Sequence, residues 1–231
     1  MRSTVLLAMT TLGLAAATIA VAEPGRFINE RQLQRALRQA FPSQPEAWLE
    51  RLIPDQTMAT CTHWQNQPPK EIADKIKQHE AGRIRLPPDG QFMGDWRRGE
   101  TVAHSGYGLR FTDTDGRRQN GGNCYACHEL SPDEVSFGTL GVSLKGYGRI
   151  NKYSPAVART AYEKIFDSQA IVACSAMPRF GANDILTIDQ IKDLVAYLMH
   201  PDSPVNKEPA ATAGSQAGSR APAGPAAPPR K

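Results

Sequence analysis

"GGNCYACHEL", residues 121–130, decides how this chain is read. It holds Cys124 and Cys127, two of the chain's four cysteines, with His128 directly after the second. Two thiols and an imidazole this close together serve a metal, a thiol–disulfide couple or a covalently held group. The compartment narrows the choice. The chain opens "MRSTVLLAMTTLGLAAATIAVAEPGR", with Arg2 near its start, an apolar run over 4–19, and Ala20-Val21-Ala22 before the polar Glu23-Pro24. That layout predicts a secretory signal peptide, 1–22, cut after Ala22. A retained membrane anchor is the alternative, but the run is short and rich in Ala and Thr. No other stretch is apolar enough to span a bilayer, so no membrane span is expected after processing. The compartment is then oxidising, and cysteines there can pair.

Composition bounds the rest. The chain has 231 residues, 27 basic against 23 acidic, a formal charge of +4. So mild an excess, with no basic run interleaved with aromatics, gives no reason to expect a nucleic-acid partner. The stretch 208–231, "EPAATAGSQAGSRAPAGPAAPPRK", has no large apolar residue to bury and is expected to be a disordered tail. Between leader and tail the periodicity is helical. Leu33, Leu37 and Phe41 recur at fourfold spacing over 29–41, with Asn29 as a cap. Further helices are predicted over 45–53, 68–82, 96–104, 155–167 and 187–200. In the last, Thr187 and Gln190 form a capping box and Ile191, Leu194, Val195 and Leu198 an apolar stripe. Strand signals are few. The fold class is mainly α, with an N-terminal helical extension (23–87) ahead of the domain that carries Cys124 (88–207).

In such a chain, Cys-x-x-Cys-His is the attachment motif for a c-type haem. One turn of helix sets the two sulfurs at the separation of the porphyrin vinyl groups, and the adjacent imidazole binds iron from below. A zinc site would need a second ligand pair, and Cys61 and Cys174 stand singly and far apart. A thioredoxin-like couple would need a βαβ context and has no use for the histidine. Cys124 and Cys127 are therefore the candidate thioether residues and His128 the candidate proximal ligand of one covalent haem. The motif occurs once.

The second axial ligand is sought among sulfur and nitrogen donors downstream. Met177 in "CSAMPRFG" (174–181) lies between two predicted helices, and Pro178 forces it towards extended backbone. Met58, Met93, His63 and His104 are the alternatives; Met199, at the end of the last helix, reads as packing. "GTLGVSLKGYGRI" (138–150) is a Gly-punctuated loop that can approach a flat group closely. The carbonyl of Gly141 or Val142 would accept the Nδ1 proton of His128 and set its tautomer. Lys145, Arg149 and Arg179 are candidates to neutralise propionates, or plain surface charges. Gly99 and Tyr197 are placed to form a tight helix crossing.

Residues 88–207 resemble the SoxX family, the monohaem c-type subunits of SoxAX complexes in periplasmic thiosulfate oxidation. The blocks that carry the likeness, in order, are "PDGQFMGDWRRGE", "NGGNCYACHEL", "GTLGVSLKGYG", "ACSAMPRFG" and "LTIDQIKDLVAYLMHPDSPVNK", with "DQTMATCTHWQNQPP" (55–69) ahead of them. Val142 follows Gly141 where proline is common in cytochromes of this type, but the backbone carbonyl is retained. The resemblance implies a class I cytochrome c-like domain with Cys124, Cys127, His128 and Met177 as haem residues. It implies a periplasmic subunit paired with SoxA, where thiosulfate is joined to a cysteine of the carrier SoxYZ. On that account the chain accepts the released electrons and passes them to a small soluble cytochrome c. The bond-forming site of the complex, an L-cysteine S-thiosulfotransferase, lies on SoxA, so no catalytic residue is expected here. A freely diffusing electron carrier and a haem protein that binds a small ligand are the rival functions.

Cys61 and Cys174 are the thiols not needed for haem. In an oxidising compartment they are expected to form a disulfide tying the extension to the Met177 loop; two buried free cysteines, or a redox-active thiol, are the alternatives.

Overall fold

The computed structural model describes residues 29–43, 49–50, 52–110, 112–113 and 117–208. The expected signal peptide (1–22) lies outside the described residues, as does the expected tail beyond Glu208. So does most of the helix expected over 45–53, of which Leu49 and Glu50 are described and helical. The chain divides into two compact units, 1–43 and 44–231. The boundary expected at 87/88 falls inside the second unit.

The described part of the first unit is a helix, α1 (Glu30–Ala40). Asn29 accepts the Arg31 N–H at 2.9 Å, satisfying one of the donors that a helix start leaves open. Leu33 and Leu37 lie on its less exposed face, with Arg31 and Arg35 exposed.

All regular structure described in the second unit is helical, with no strand among the described residues. The elements are α2 (Gln56–His63), α3 (Lys70–Ala81), α4 (Trp96–His104), α5 (Tyr147–Ile150), α6 (Pro155–Phe166), α7 (Ser168–Ile171) and α8 (Ile188–Met199), with short 3-10 turns at Cys124–Ala126 and Pro204–Asn206. Their starts follow local chemistry. Asp55 accepts the Met58 N–H at 2.8 Å, Asp95 accepts from Arg97 and Arg98, and Pro155 opens α6 where no N–H is needed. Thr187 and Gln190 form the reciprocal capping box of α8.

The core is built on α8. Ile191, Val195 and Met199 are buried against Tyr162 and Phe166 of α6, Leu130 and Val205. Burying each such side chain contributes roughly 1.5–3 kcal/mol relative to leaving it in water. α4 crosses α8 at closest approach through Gly99, where an added Cβ would sit 2.0 Å from the Asp193 carbonyl oxygen and 2.8 Å from Tyr197 Cβ. Only glycine lets the two backbones meet so closely. The crossing is locked by Asp193, which takes both Nε and Nη2 of Arg98 at 2.8 Å and the Asp95 N–H at 2.7 Å. A fork of this kind is stronger than a single neutral hydrogen bond.

Residues 121–123 return along the end of α4. Gly122 donates to the Val102 carbonyl at 2.8 Å and Asn123 to Ser105 at 2.9 Å. At the other end of the unit, the Cys61–Cys174 disulfide, with Cα atoms 5.3 Å apart, joins α2 to the loop before Met177.

Candidate functional site

The one turn of helix expected at Cys124–Cys127 is present as a 3-10 turn, Cys124–Ala126. It is entered from Asn123 in left-handed conformation (φ 49°), which Asn tolerates better than most side chains. Cys127 N–H and His128 N–H both bond the Cys124 carbonyl, at 3.1 and 2.9 Å. The glycine loop then folds back over the turn. Gly138 donates to Tyr125 at 2.8 Å and Gly141 to Cys127 at 2.7 Å.

That folding sets the histidine. His128 Nδ1 lies 2.7 Å from the Val142 carbonyl oxygen. With Nδ1–H donating there, Nε2 is left as a free electron-pair donor, the form a metal needs. Gly141 allows the ring its place. An added Cβ would fall 2.3–2.7 Å from three of its atoms.

His128 opens onto an apolar cleft of about 240 Å³, walled by Leu144, Ile165, Leu194 and Leu198. Cys124 and Met177 also line it. Of the methionines among the described residues, Met177 alone does so; Met58 faces a second cavity, Met93 is surface, and Met199 is core. His104 is committed elsewhere, with Nδ1 2.9 Å from the Glu100 carbonyl and Nε2 3.2 Å from Glu134. His63 does not reach the cleft; it meets the Trp64 ring edge-on. Cys127 is half-buried and does not itself line the cleft, but it stands near enough to act on its neighbour's titration. Burial, and then the proximity of Cys127, pushes the Cys124 thiol up to about 12. A neutral, buried thiol is the reverse of the activated thiolate that disulfide-exchange chemistry uses.

Met177 is held through its backbone. The Ser168 hydroxyl donates to the Met177 carbonyl at 2.5 Å, and Met177 N–H donates to Ser175 at 3.2 Å. The three candidate cations do not line the cleft. Lys145 pairs with Glu129 at 2.8 Å, Arg149 with Glu208 at 3.0 Å, and Arg179 is buried against Glu80 and Asp55. The cation that does line it, Lys164 of α6, was not singled out from sequence; burial lowers its pKa. Tyr197 also lines the cleft, and its hydroxyl is buried with no hydrogen-bond partner among the described residues. Burial, then the charges of Glu100 and Glu134, raises its pKa, so it stays a neutral donor. From sequence Tyr197 is placed only at the crossing with Gly99, and nothing in the spacing of either helix indicates that it and Lys164 line one cleft.

A c-type haem is the group this donor set fits. The walls are apolar, an imidazole is oriented by its second nitrogen, a thioether sits on a clamped loop, and two unpaired thiols stand on one turn. The orphaned Tyr197 hydroxyl is a polar atom that a bound group would satisfy. Among the described residues no three His, Cys, Asp or Glu side chains converge as an all-protein metal site.

No family model matches the chain. It is similar to an uncharacterized lipoprotein of Aquifex aeolicus (strain VF5), 41% identical over 139 residues, which cover 59% of this chain and 64% of that protein. The chain thus spans slightly less than two thirds of the length of the relative it matches.

Proposed function

We propose that the chain is an exported electron-transfer cytochrome with one covalent haem c. The observation that carries this is the convergence of Cys124, His128 and Met177 on one apolar cleft, with His128 fixed by the Val142 carbonyl. Cys124 and Cys127 would attach the haem, and His128 and Met177 would be its axial ligands. When bound, such a haem supplies a one-electron carrier at high potential, because the thioether favours the reduced iron. This chain's residues do the rest. The Val142 carbonyl holds the proton at His128 Nδ1, the Ser168 hydroxyl holds the Met177 backbone, and the leucine walls exclude water. The relative's designation as a lipoprotein supports an envelope setting. Among the described residues no helix is long and apolar enough to cross a membrane.

Within that reading we place the chain as the SoxX-like subunit of a thiosulfate-oxidising complex, on the strength of the sequence blocks quoted above. It would take electrons released on a SoxA-like partner when thiosulfate is joined to a carrier cysteine, and pass them to a small cytochrome c. Two experiments test the proposal at its two levels. Protein exported with its own leader is denatured in alkaline pyridine and weighed; a haem chromophore that stays on the chain, lost in Cys124→Ser/Cys127→Ser, is expected. Met177→Ala should then keep the haem but lose the far-red Met–iron band. Absence of covalent haem overturns the cytochrome reading. Co-purification with no second haem protein, and no thiosulfate-dependent cytochrome reduction, overturns the SoxX-like role alone.

A further inference from the structure

Between α6 and α7 stands a carboxyl group that the cleft does not use. Asp167 is fully buried, and its Oδ1 accepts the Gln169 N–H at 3.1 Å. Its Oδ2 is also buried, and no donor reaches it among the described residues. Beside it is Glu80 of α3, likewise fully buried. Glu80 Oε1 accepts from the Thr57 hydroxyl at 2.5 Å and from Arg179 Nη1 at 3.2 Å, and Oε2 from Arg83 Nη1 at 2.9 Å. Both guanidiniums are shared with Asp55, at 2.7 Å for Arg179 and 3.9 Å for Arg83. The other charges on adjoining elements are engaged elsewhere. Lys164 donates to the Ser168 carbonyl at 3.4 Å, and Arg85 lies over the Phe166 ring and pairs with Asp184.

Arg83 and Arg179 are thus engaged by Asp55 and Glu80, and neither donates to Asp167; the charge of Arg179 reaches it but is outweighed by burial and by Glu80. As a carboxylate, Asp167 would be a buried, unpaired charge next to another of the same sign, the costliest arrangement for a side chain. As a carboxylic acid, it turns its orphaned oxygen into a donor towards Glu80 and leaves the cluster neutral.

We propose that Glu80 and Asp167 share one proton as a buried carboxyl pair, and that this proton keeps the 177–182 loop fastened to the 55–83 segment. The residues on both sides of Asp167 carry that loop. The Phe166 carbonyl accepts the Gly181 and Ala182 N–H groups at 2.9 and 3.0 Å, Ser168 bonds the Met177 carbonyl, and Arg179 of the loop reaches Glu80. Loss of the proton places an uncompensated charge at the point where these bonds meet. Burial, then the hydrogen bond and charge of Glu80, raises the Asp167 carboxyl to about 7. Burial alone would raise Glu80 too, but the hydrogen bonds from Asp167 and Thr57 and the charges of Arg179 and Arg83 outweigh it and hold Glu80 down. The site goes beyond the electron-transfer reading and needs no haem.

The test uses the full exported chain. Infrared spectra are taken as pH is raised through neutrality, and amide exchange at Gly181 and Ala182 is measured in parallel, referenced to α8 amides. A protonated-carboxyl stretch that disappears near pH 7 is expected, with protection at the two amides falling several-fold over the same range. Asp167→Asn should lack the band and keep its protection throughout. Glu80→Gln frees Arg179 for Asp167, so the band should vanish at a lower pH; it carries the test alone where Asp167→Asn does not fold. A wild type without a carboxyl stretch near neutrality, a band that neither substitution moves, or exchange that ignores the band overturns the proposal. These readouts are the same whether or not the chain carries haem, so they fail independently of the cytochrome assignment.

Discussion

Removing the Cys61–Cys174 disulfide should cost the second unit much of its stability. The bond closes a sequence separation of 113 residues. The chain-entropy model assigns a loop of that length an upper value of roughly 4–5 kcal/mol, and residual order in the unfolded chain lowers it to an expected 2–4 kcal/mol. In a unit of this size that is a fall in Tm of roughly 5–15 °C. Cys174 adds a second handle, since its backbone is left-handed at φ 58°. Cys174→Ser keeps that cost, whereas Cys174→Gly removes about 1 kcal/mol of it. The glycine variant should therefore be the more stable of the two, although both lack the bond. Urea unfolding followed by circular dichroism, on oxidised wild type, reduced wild type and the two variants, gives the ranking. A midpoint shift worth less than about 0.5 kcal/mol on losing the bond would refute the loop-closure reasoning. So would unfolded, unreduced protein in which positions 61 and 174 both alkylate.

Other perturbations probe the crossing, the histidine and the buried acid pair. Gly99→Ala drives a methyl into the Asp193 carbonyl and should destabilise by at least about 1–3 kcal/mol, read from chemical denaturation; a neutral result means that α4 and α8 separate freely. Gly141→Ala pushes the His128 ring off the Val142 carbonyl, and the fraction of chain acquiring haem with a low-spin spectrum should fall well below wild type while far-UV dichroism is retained. Relative to Asp167→Asn, wild type should lose stability as pH climbs from about 4 to about 7. The folded chain keeps a proton there that the unfolded chain has released, at a slope of up to about 1.4 kcal/mol per pH unit. Glu80 acts in the opposite sense. Its lowered pKa contributes stability that is present above the ordinary glutamate range and fades as pH falls towards about 2. A wild-type-to-variant difference that stays constant with pH would rule out the Asp167 assignment.

Local order in this chain is written locally. Asn29, Pro155 and the Thr187–Gln190 pair start their helices through atoms a few residues away, so those elements are legible before any packing is known; α2, which Asp55 caps, is not among the helices expected from the sequence. Cys124, Cys127, His128 and Met177 are singled out by type and spacing, and the Gly99–Tyr197 crossing by spacing alone. What side chains do at long range was not legible. Lys145, Arg149 and Arg179 have long, flexible arms, and only the folded chain shows them spent on Glu129, Glu208 and Glu80. Lys164 and Tyr197 line one cleft because α6 and α8 pack together, which periodicity within either helix does not encode. The 3-10 form of the cysteine turn is seen only in the folded chain, where Gly122 and Asn123 just ahead of it bond the Val102 and Ser105 carbonyls. Asp167, between α6 and α7, and Glu80, on α3, are far apart in sequence, each an ordinary acidic residue until burial removes water from both. The sequence by itself determined α1, α3, α4, α6, α8 and the donor atoms, because caps, spacing and residue type act within a turn or two. The tertiary structure alone decided which charges are paired and which acid keeps its proton, because those depend on water being excluded by segments that meet only on folding.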